Sequence, residues 1–251
     1  MLTLGAFFER HLIAPGTLWE LKAKANGYAF ALGSELVTQA AEGRNFELIE
    51  VSSSECPREG ISSRIKVRLL EDGYICWLDL EKVIGKAIHR GRWSPEMLDL
   101  FEIRGRIPQI LDWVEKALKK PNKYLWGGTL GPDFDCSGLV QAAFASQSIW
   151  LPRDAYQLER FCEKVEVSCL DLSYLIPGDL IFFGTMQKCN HVAIYKGEGM
   201  YFHSSGVSHG RNGIGIDGLF SEDKHPVASY YRAQFRGAGR VNRCHDGTTL
   251  P

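Results

Sequence analysis

The chain has 251 residues, with 29 Lys plus Arg set against 30 Asp plus Glu, and 45% of its residues are hydrophobic. A near-neutral balance without a Lys/Arg block excludes a general binder of nucleic acid or anionic membrane, because such partners recruit a basic surface. The apolar fraction excludes disorder as the main state, and the length suits one large domain or two smaller ones.

The N-terminal MLTLGAFFERHLIAPG has no basic n-region, and Glu9, Arg10 and His11 interrupt its apolar stretch. No export signal is expected from it, and the expected location is cytoplasmic. Every hydrophobic segment is broken by Gly, Pro or charge before the ~20 apolar residues that a membrane-spanning helix requires. Seven cysteines, at positions 56, 76, 136, 162, 169, 189 and 244, are odd in number and form no C-x-x-C pair. Neither a disulfide framework nor a structural zinc site follows from that spacing. No metal or cofactor is expected, and most of the thiols are read as buried in a reducing compartment.

From Gly16 to Leu80 the pattern is one of short strands: Thr17 to Ala23, Glu35 to Ala41, Phe46 to Ser52, Arg64 to Leu70 and Tyr74 to Leu78. The alternation in Ile65-Lys66-Val67-Arg68-Leu69 gives one dry and one wet face, and Asp72-Gly73 suits a tight hairpin. Five strands closing on K-V-R-L-x-x-D-G-Y-x-x-W-L resemble the bacterial SH3-like barrels found beside cell-wall enzymes. A small all-β domain over residues 1–86 is therefore expected.

Between Glu81 and Arg106 charge and Gly increase, including His89-Arg90-Gly91-Arg92, which places a linker over residues 87–106. Within it, Ser94-Pro95-Glu96 reads as the start of a short helix carrying Met97, Leu98, Leu100 and Phe101. A second helix is expected from Pro108, with Ile107, Ile110, Leu111, Val114, Ala117 and Leu118 at amphipathic spacing and Lys119-Lys120-Pro121 closing it. It opens a C-terminal domain over residues 107–251.

The chemistry-bearing residues lie in this second half. After Asp133-Phe134-Asp135 the sequence turns helical, with Leu139, Val140, Ala143 and Phe144 on one face, so Cys136 falls at a helix N-terminus. Unpaired amides and the helix dipole there are expected to favour the thiolate. Asn190 to Tyr195 and Met200 to Ser205 read as two strands joined by Lys196-Gly197-Glu198-Gly199. A hairpin centred on Gly197 and Glu198 pairs position 191 with about position 204, which brings His191 and His203 close along the ladder. His191 is then a candidate base for Cys136, with His203 fixing its tautomer and orientation. Pro177-Gly178-Asp179 is read as a structural turn into the strand Leu180 to Phe183.

The segments Y-L-W-G-G, F-D-C-S-G-L-V, L-P-R-D, P-G-D-L-I-F-F, N-H-V-A-I-Y and Y-F-H-S-S occur in the order seen in the NlpC family of papain-like cysteine peptidases. The stretch from Ile107 to Val241 resembles that family. With the barrel before it, the chain is similar to two-domain cell-wall peptide hydrolases of the dipeptidyl-peptidase type. The resemblance implies an α+β papain-like domain preceded by the small barrel. It also implies cleavage of the γ-D-glutamyl to L-diamino-acid bond, with meso-diaminopimelate as the diamino acid. The implied substrates are murein tripeptides or tetrapeptides with a free N-terminal L-Ala, met in peptidoglycan recycling. Carried over by position, Cys136 is the nucleophile, His191 the base, His203 the third member, and Tyr124 a hydroxyl assisting the oxyanion. Asp135 is the implied partner of the substrate ammonium, with Ser137 contacting the peptide. Arg153 and Asp154 lie in the L-P-R-D motif, where Ala155 stands in place of the usual Ser. Tyr74 of the barrel is a further candidate substrate ligand.

Plainer readings stand beside these. Cys136 could be a buried structural thiol, Asp135 a helix cap, and Tyr74 a half-buried barrel aromatic. His209 and His225 are read as exposed loop histidines rather than zinc ligands. An amidase or acyltransferase on another amide or lipid, and a non-catalytic peptidoglycan-binding module, are the alternative functions. The expected partner is the peptide alone, with no nucleic acid and no membrane, bound by a monomer.

Overall fold

The computed structural model describes residues 5–9, 14–51, 63–168, 171–220 and 223–250. It divides into two compact units, residues 1–95 with 245–250, and residues 96–244 with 251. Cys56, Cys169 and the end of the strand expected at Ser52 lie outside the described residues.

The first unit contains strands β1 (Leu18–Leu21), β2 (Ala25–Tyr28), β3 (Leu36–Ala40), β4 (Asn45–Val51), β5 (Arg64–Leu69) and β6 (Ile75–Asp79). A short helix α1 (Leu80–Val83) and strand β7 (Ala87–Arg90) follow. They form one antiparallel sheet in the order β3-β2-β6-β5-β4-β1-β7. Its core gathers the inward residues that alternation selects, among them Trp19, Phe46, Leu48, Ile65, Val67, Leu69 and Leu78. Phe8 closes on Trp19 edge to face, with ring centroids 4.6 Å apart.

Two of the seven strands are additions to the five expected. The β2 sequence Ala-Asn-Gly-Tyr has no apolar alternation, and Gly27 is there because a Cβ would meet Thr38 Cγ2 at 2.7 Å and Cys76 Sγ at 2.8 Å. Strand β7 falls in the stretch expected to be linker. Its exposed Arg90 and half-buried His89 suit a sheet edge, where polar side chains face water. The first unit therefore runs to Pro95 rather than ending at residue 86. The hairpin at Asp72-Gly73 forms as expected, with Gly73 at φ +65° and the Asp72 carboxylate accepting from the Tyr74 N–H at 3.1 Å. Residues 245–250 also belong to this unit, not to the C-terminal domain: the Gly247 carbonyl accepts from Arg68 Nη1 at 3.0 Å.

In the second unit a single helix α2 (Leu100–Leu118) replaces the two expected. Asp99 and Glu102 form its capping box, the D-x-x-E signal that the Ser94-Pro95 reading passed over. Pro108 lies inside the helix. It costs one backbone hydrogen bond, while Ile103, Ile107, Ile110 and Val114 keep one buried stripe across it. Met97, Leu100 and Phe101, expected to make an apolar stripe, are exposed.

Helices α3 (Cys136–Ala145) and α4 (Ala155–Phe161) precede strands β8 (Glu163–Val165), β9 (Leu180–Gly184), β10 (Cys189–Gly197), β11 (Met200–Ser205) and β12 (Gly213–Gly218). Helix α5 (Pro226–Arg232) and strand β13 (Phe235–Arg240) complete the unit. The six strands form an antiparallel sheet in the order β12-β11-β10-β9-β13-β8. Helix α3 packs on β10 and β11, which sets its first residue against the strands carrying the two histidines. The turn before β9 is structural, as expected. Asp179 is fully buried and accepts from Ile176 N–H, Arg240 Nε and Arg240 Nη2 at 3.0, 2.9 and 2.8 Å.

Candidate active site

Cys136 is the first residue of α3, and Asp135 is its N-cap, accepting from the Gly138 N–H at 2.7 Å. The cap is reached through a tight approach: Asp135 N–H donates to Gly128 O at 3.1 Å, and a Cβ on Gly138 would overlap that same carbonyl. Both glycines of the motif residues thus serve to bring the Y-L-W-G-G loop over the helix start.

The thiol does not rest as the thiolate expected from a helix N-terminus. Burial first, and then the Asp135 charge, push the Cys136 pKa up to about 12, against the opposing backbone N–H groups of Val192 and Ser137. The residue that caps the helix opposes what the helix end supplies. Cys76 and Cys189 are also pushed up to about 12, chiefly by burial, so acidity does not single out Cys136. Its neighbours do.

His191 on β10 and His203 on β11 are both buried, and His191 Nε2 lies 2.8 Å from His203 Nδ1. The hairpin joining them differs by one residue from the expected register. Ile194 pairs with Phe202 and Tyr195 with Tyr201, after an irregularity between Tyr195 and Gly197. Extended, this register sets Ser205 opposite His191, so His203 is one diagonal step away on the same face. Pairing 191 with 204 would have sent His203 to the other face. The bulge therefore makes the histidine pair possible.

Burial and the charge of His203 hold His191 well below the ordinary imidazole range. Burial also holds His203 down, against the raising influence of Asp217. At rest the Cys136 thiol and both imidazoles are therefore neutral. His191 commits Nε2 to His203, which leaves Nδ1 to receive a proton from sulfur. Tyr124 is half-buried, joined to Phe134 by an isolated parallel bridge. Burial and the nearby Cys136 raise its pKa, so its phenol stays protonated as a donor.

Asp135, Ser137 and Arg153 come together, but with one another. Asp135 Oδ2 accepts from Arg153 Nη2 at 2.5 Å and from Gly127 N–H at 2.8 Å. Arg153 Nη1 donates to Ser137 Oγ at 2.9 Å and to Asp135 Oδ1 at 3.2 Å. Asp135, expected as the ammonium partner, is here a helix cap and half of a buried ion pair, so an arriving amine would compete with Arg153 for it. Ser137, expected to contact the peptide, is buried in the same network. Asp154 caps α4 in a capping box with Gln157, and Ala155 is the first residue of that helix. Tyr74 belongs to the first unit, half-buried against the barrel core.

Residues that the motif reading missed complete the surroundings. Tyr231 of α5 stacks on His191 with centroids 4.0 Å apart, and its hydroxyl pairs with Ser205 Oγ at 2.8 Å. Asp217 on β12 lies 2.6 Å from His203 Nε2, and Arg211 Nη2 donates to both of its oxygens at 2.7 and 2.8 Å. The period-two spacing of Gly213-Ile214-Gly215-Ile216-Asp217 was the available signal for a strand beside β11. His209 is half-buried and stacks on Tyr230 rather than standing exposed, while His225 is exposed and caps α5. Among the described residues no group of three or more His, Cys, Asp or Glu is arranged to hold a metal ion, and no helix is long and apolar enough to cross a membrane.

Residues 121–234 match the NlpC/P60 family, and residues 28–83 match the bacterial dipeptidyl-peptidase Sh3 domain. Among curated proteins, a gamma-D-glutamyl-L-lysine dipeptidyl-peptidase of Bacillus cereus is 39% identical over 84 residues, which is 32% of this chain and 24% of that one. The bifunctional muramidase/DL-endopeptidase CwlT of Bacillus subtilis is 37% identical over 105 residues, 38% of this chain and 30% of that one. The matches thus span about a quarter to a third of those relatives' length. Among solved structures, an NlpC/P60 family protein from Bacillus cereus is 22% identical, with 91% of this chain and 64% of that chain covered at a TM-score of 0.45. The chain is an α+β protein in which a segment matching the bacterial dipeptidyl-peptidase Sh3 domain precedes, in sequence, a segment matching the NlpC/P60 family.

Proposed function

We propose that the chain is a cysteine peptidase that hydrolyses the γ-D-glutamyl to L-diamino-acid bond of murein peptides carrying a free N-terminal L-Ala. The observation that carries this reading is the 2.8 Å bond between His191 and His203, on strands that flank the helix beginning at Cys136. The relatives' names, which cite gamma-D-glutamyl-L-lysine and DL-endopeptidase activities, support the choice of bond.

In this mechanism the Cys136 proton passes to His191 Nδ1 as sulfur attacks the scissile carbonyl. The Cys136 N–H, which the helix ladder cannot use, and the Tyr124 phenol donate to the oxyanion. His191 then protonates the departing diamino-acid amine, leaving an L-Ala-γ-D-Glu thioester on Cys136. Water, deprotonated by His191, releases the dipeptide and restores the thiol. Because the resting thiol is neutral, proton transfer and attack are coupled, and little free thiolate is left open to oxidation. Peptides of this kind are wall fragments, so we place the reaction in recycling within the cytoplasm.

The test is hydrolysis of L-Ala-γ-D-Glu-meso-diaminopimelate and of its N-acetylated form by wild type and Cys136→Ala, with products read by mass spectrometry. Cleavage of the free peptide alone, lost in the variant, supports the proposal. Equal cleavage of both forms removes the free-amine requirement, and cleavage of neither removes the substrate.

A further inference from the structure

The neutral triad leaves one ionised group unused. Asp217 is 2% exposed and sits beside the last ring of the relay. It is on β12, where Gly215 is the partner of His203 and Tyr201 the partner of Asp217, so Asp217 is on the same face as His203, one diagonal step along. A Cβ on Gly215 would overlap the Arg211 guanidinium. The missing side chain is thus a notch through which Arg211 lies across the strand to reach both Asp217 oxygens.

We propose that Asp217, clamped by Arg211 in the notch of Gly215, is a positioning residue that sets the tautomers of both histidines; this rests on the reading of Cys136 and His191 as the reacting pair. An ionised carboxylate only accepts, so His203 must carry its proton on Nε2. A neutral His203 then presents a lone pair at Nδ1, and the 2.8 Å contact requires His191 to donate from Nε2. That leaves the basic lone pair of His191 on Nδ1. The direction of the whole chain is imposed from its far end by a residue that never meets substrate.

Arg211 has a second consequence. Burial raises the Asp217 pKa, but the His203 hydrogen bond and charge and the Arg211 charge outweigh it, so Asp217 stays ionised. Against His203, burial acts first to lower, Asp217 raises, and Arg211 lowers again. The clamp thus supplies an acceptor while limiting its tendency to protonate His203. The other titratable groups facing this ring are His191 from β10, Tyr201 on its own strand and Tyr231 from α5. Helix α3, which begins at Cys136, packs on β11. Asp217 also faces His225, 3.5 Å away, and His191 also feels His209.

The test uses the full chain as wild type, Asp217→Asn, Arg211→Gln and Gly215→Ala. Imidazole tautomers are read by nitrogen-15 NMR, and the pH dependence of Cys136 alkylation by iodoacetamide is read by peptide mapping. Neither readout needs a substrate, so failure of peptide hydrolysis in the wild type would sink the proposed function without touching this inference. The wild type should show Nε2–H on both histidines. Arg211→Gln and Gly215→Ala remove the cation that lowers His203, so the acid limb of the alkylation profile should move up by about half a pH unit or more. Asp217→Asn should move the limb down and slow the plateau about tenfold or more, because the charge that stabilises the imidazolium is gone. A merely structural contact gives no such opposed shifts. An Nδ1–H tautomer at His203 in the wild type, limbs that move together, or limbs that stay put would overturn the proposal. If Asp217→Asn does not fold, the upward shift in the other two variants supports it and its absence refutes it.

Discussion

Replacing Arg153 by Met removes the cation from a pair that is closed to water, with Arg153 2% and Asp135 5% exposed. Breaking a buried pair from one side costs about 3–5 kcal/mol, because the remaining charge keeps its desolvation penalty. Here the remaining carboxylate still accepts from the Gly127 and Gly138 N–H groups, at 2.8 and 2.7 Å, and sits at a helix N-terminus. The expected loss is therefore at the low end, ~3 kcal/mol, equivalent to a fall of about 6–12 °C in Tm for a chain of this size. Asp135→Asn alone leaves the guanidinium buried without an opposing charge and should cost a similar amount, although Asn is as good a cap. Both changes together remove both charges, and the double variant should recover to within about 2 kcal/mol of wild type. Urea titration followed by circular dichroism, with calorimetry on the same four proteins, gives the cycle. A loss below about 0.5 kcal/mol in Arg153→Met, or a double variant whose loss is the sum of the two single losses, would refute the account of this pair.

Three further outcomes follow from the same geometry. Tyr124→Phe deletes one oxyanion donor and should lower kcat about 100-fold with KM within about twofold, while Cys136 alkylation is unchanged; an unaltered kcat removes Tyr124 from the reaction. Gly138→Ala sets a Cβ into the Gly128 carbonyl oxygen and should cost ~3 kcal/mol, read by thermal unfolding; a neutral substitution would contradict the approach of loop to helix. His191 and His203 both have folded pKa values below the unfolded imidazole value of 6.5, so the unfolded chain binds more protons in acid. Their contribution is intact above that value and is lost as pH falls below it, at about 1.4 kcal/mol per pH unit for each ring until its folded pKa is reached. Urea midpoints from pH 7 to 5 should fall less steeply in His203→Gln than in wild type, and equal slopes would show that His203 is not held neutral.

What the sequence made legible was local. The Asp72-Gly73 hairpin, the buried stripe of α2 and the cap-then-cysteine start of α3 each follow from residues within one turn or one alternation. The pieces that escaped it depend on residues far apart in the chain. Strand β2 is held by its pairing with β3 and β6, and residues 245–250 by their return to Arg68. Pro108 reads as a helix start because its missing N–H is a local fact, whereas the stripe that carries the helix across it is settled by packing. At the site, the motif order located Cys136, His191 and His203, but the face they share depends on a bulge that no spacing rule announced. The ion pair of Asp135 is not legible in the chain either, because Arg153, eighteen positions later, meets it only in space.

The most direct test of the central claim is to quench the reaction of the full chain with L-Ala-γ-D-Glu-meso-diaminopimelate in acid and map the covalent adduct by mass spectrometry. The account predicts an L-Ala-γ-D-Glu acyl group on the peptide containing Cys136, formed together with one equivalent of free diaminopimelate and absent in Cys136→Ala. Release of diaminopimelate at an undiminished rate by Cys136→Ala, or an acyl group carried by any other residue, would contradict it.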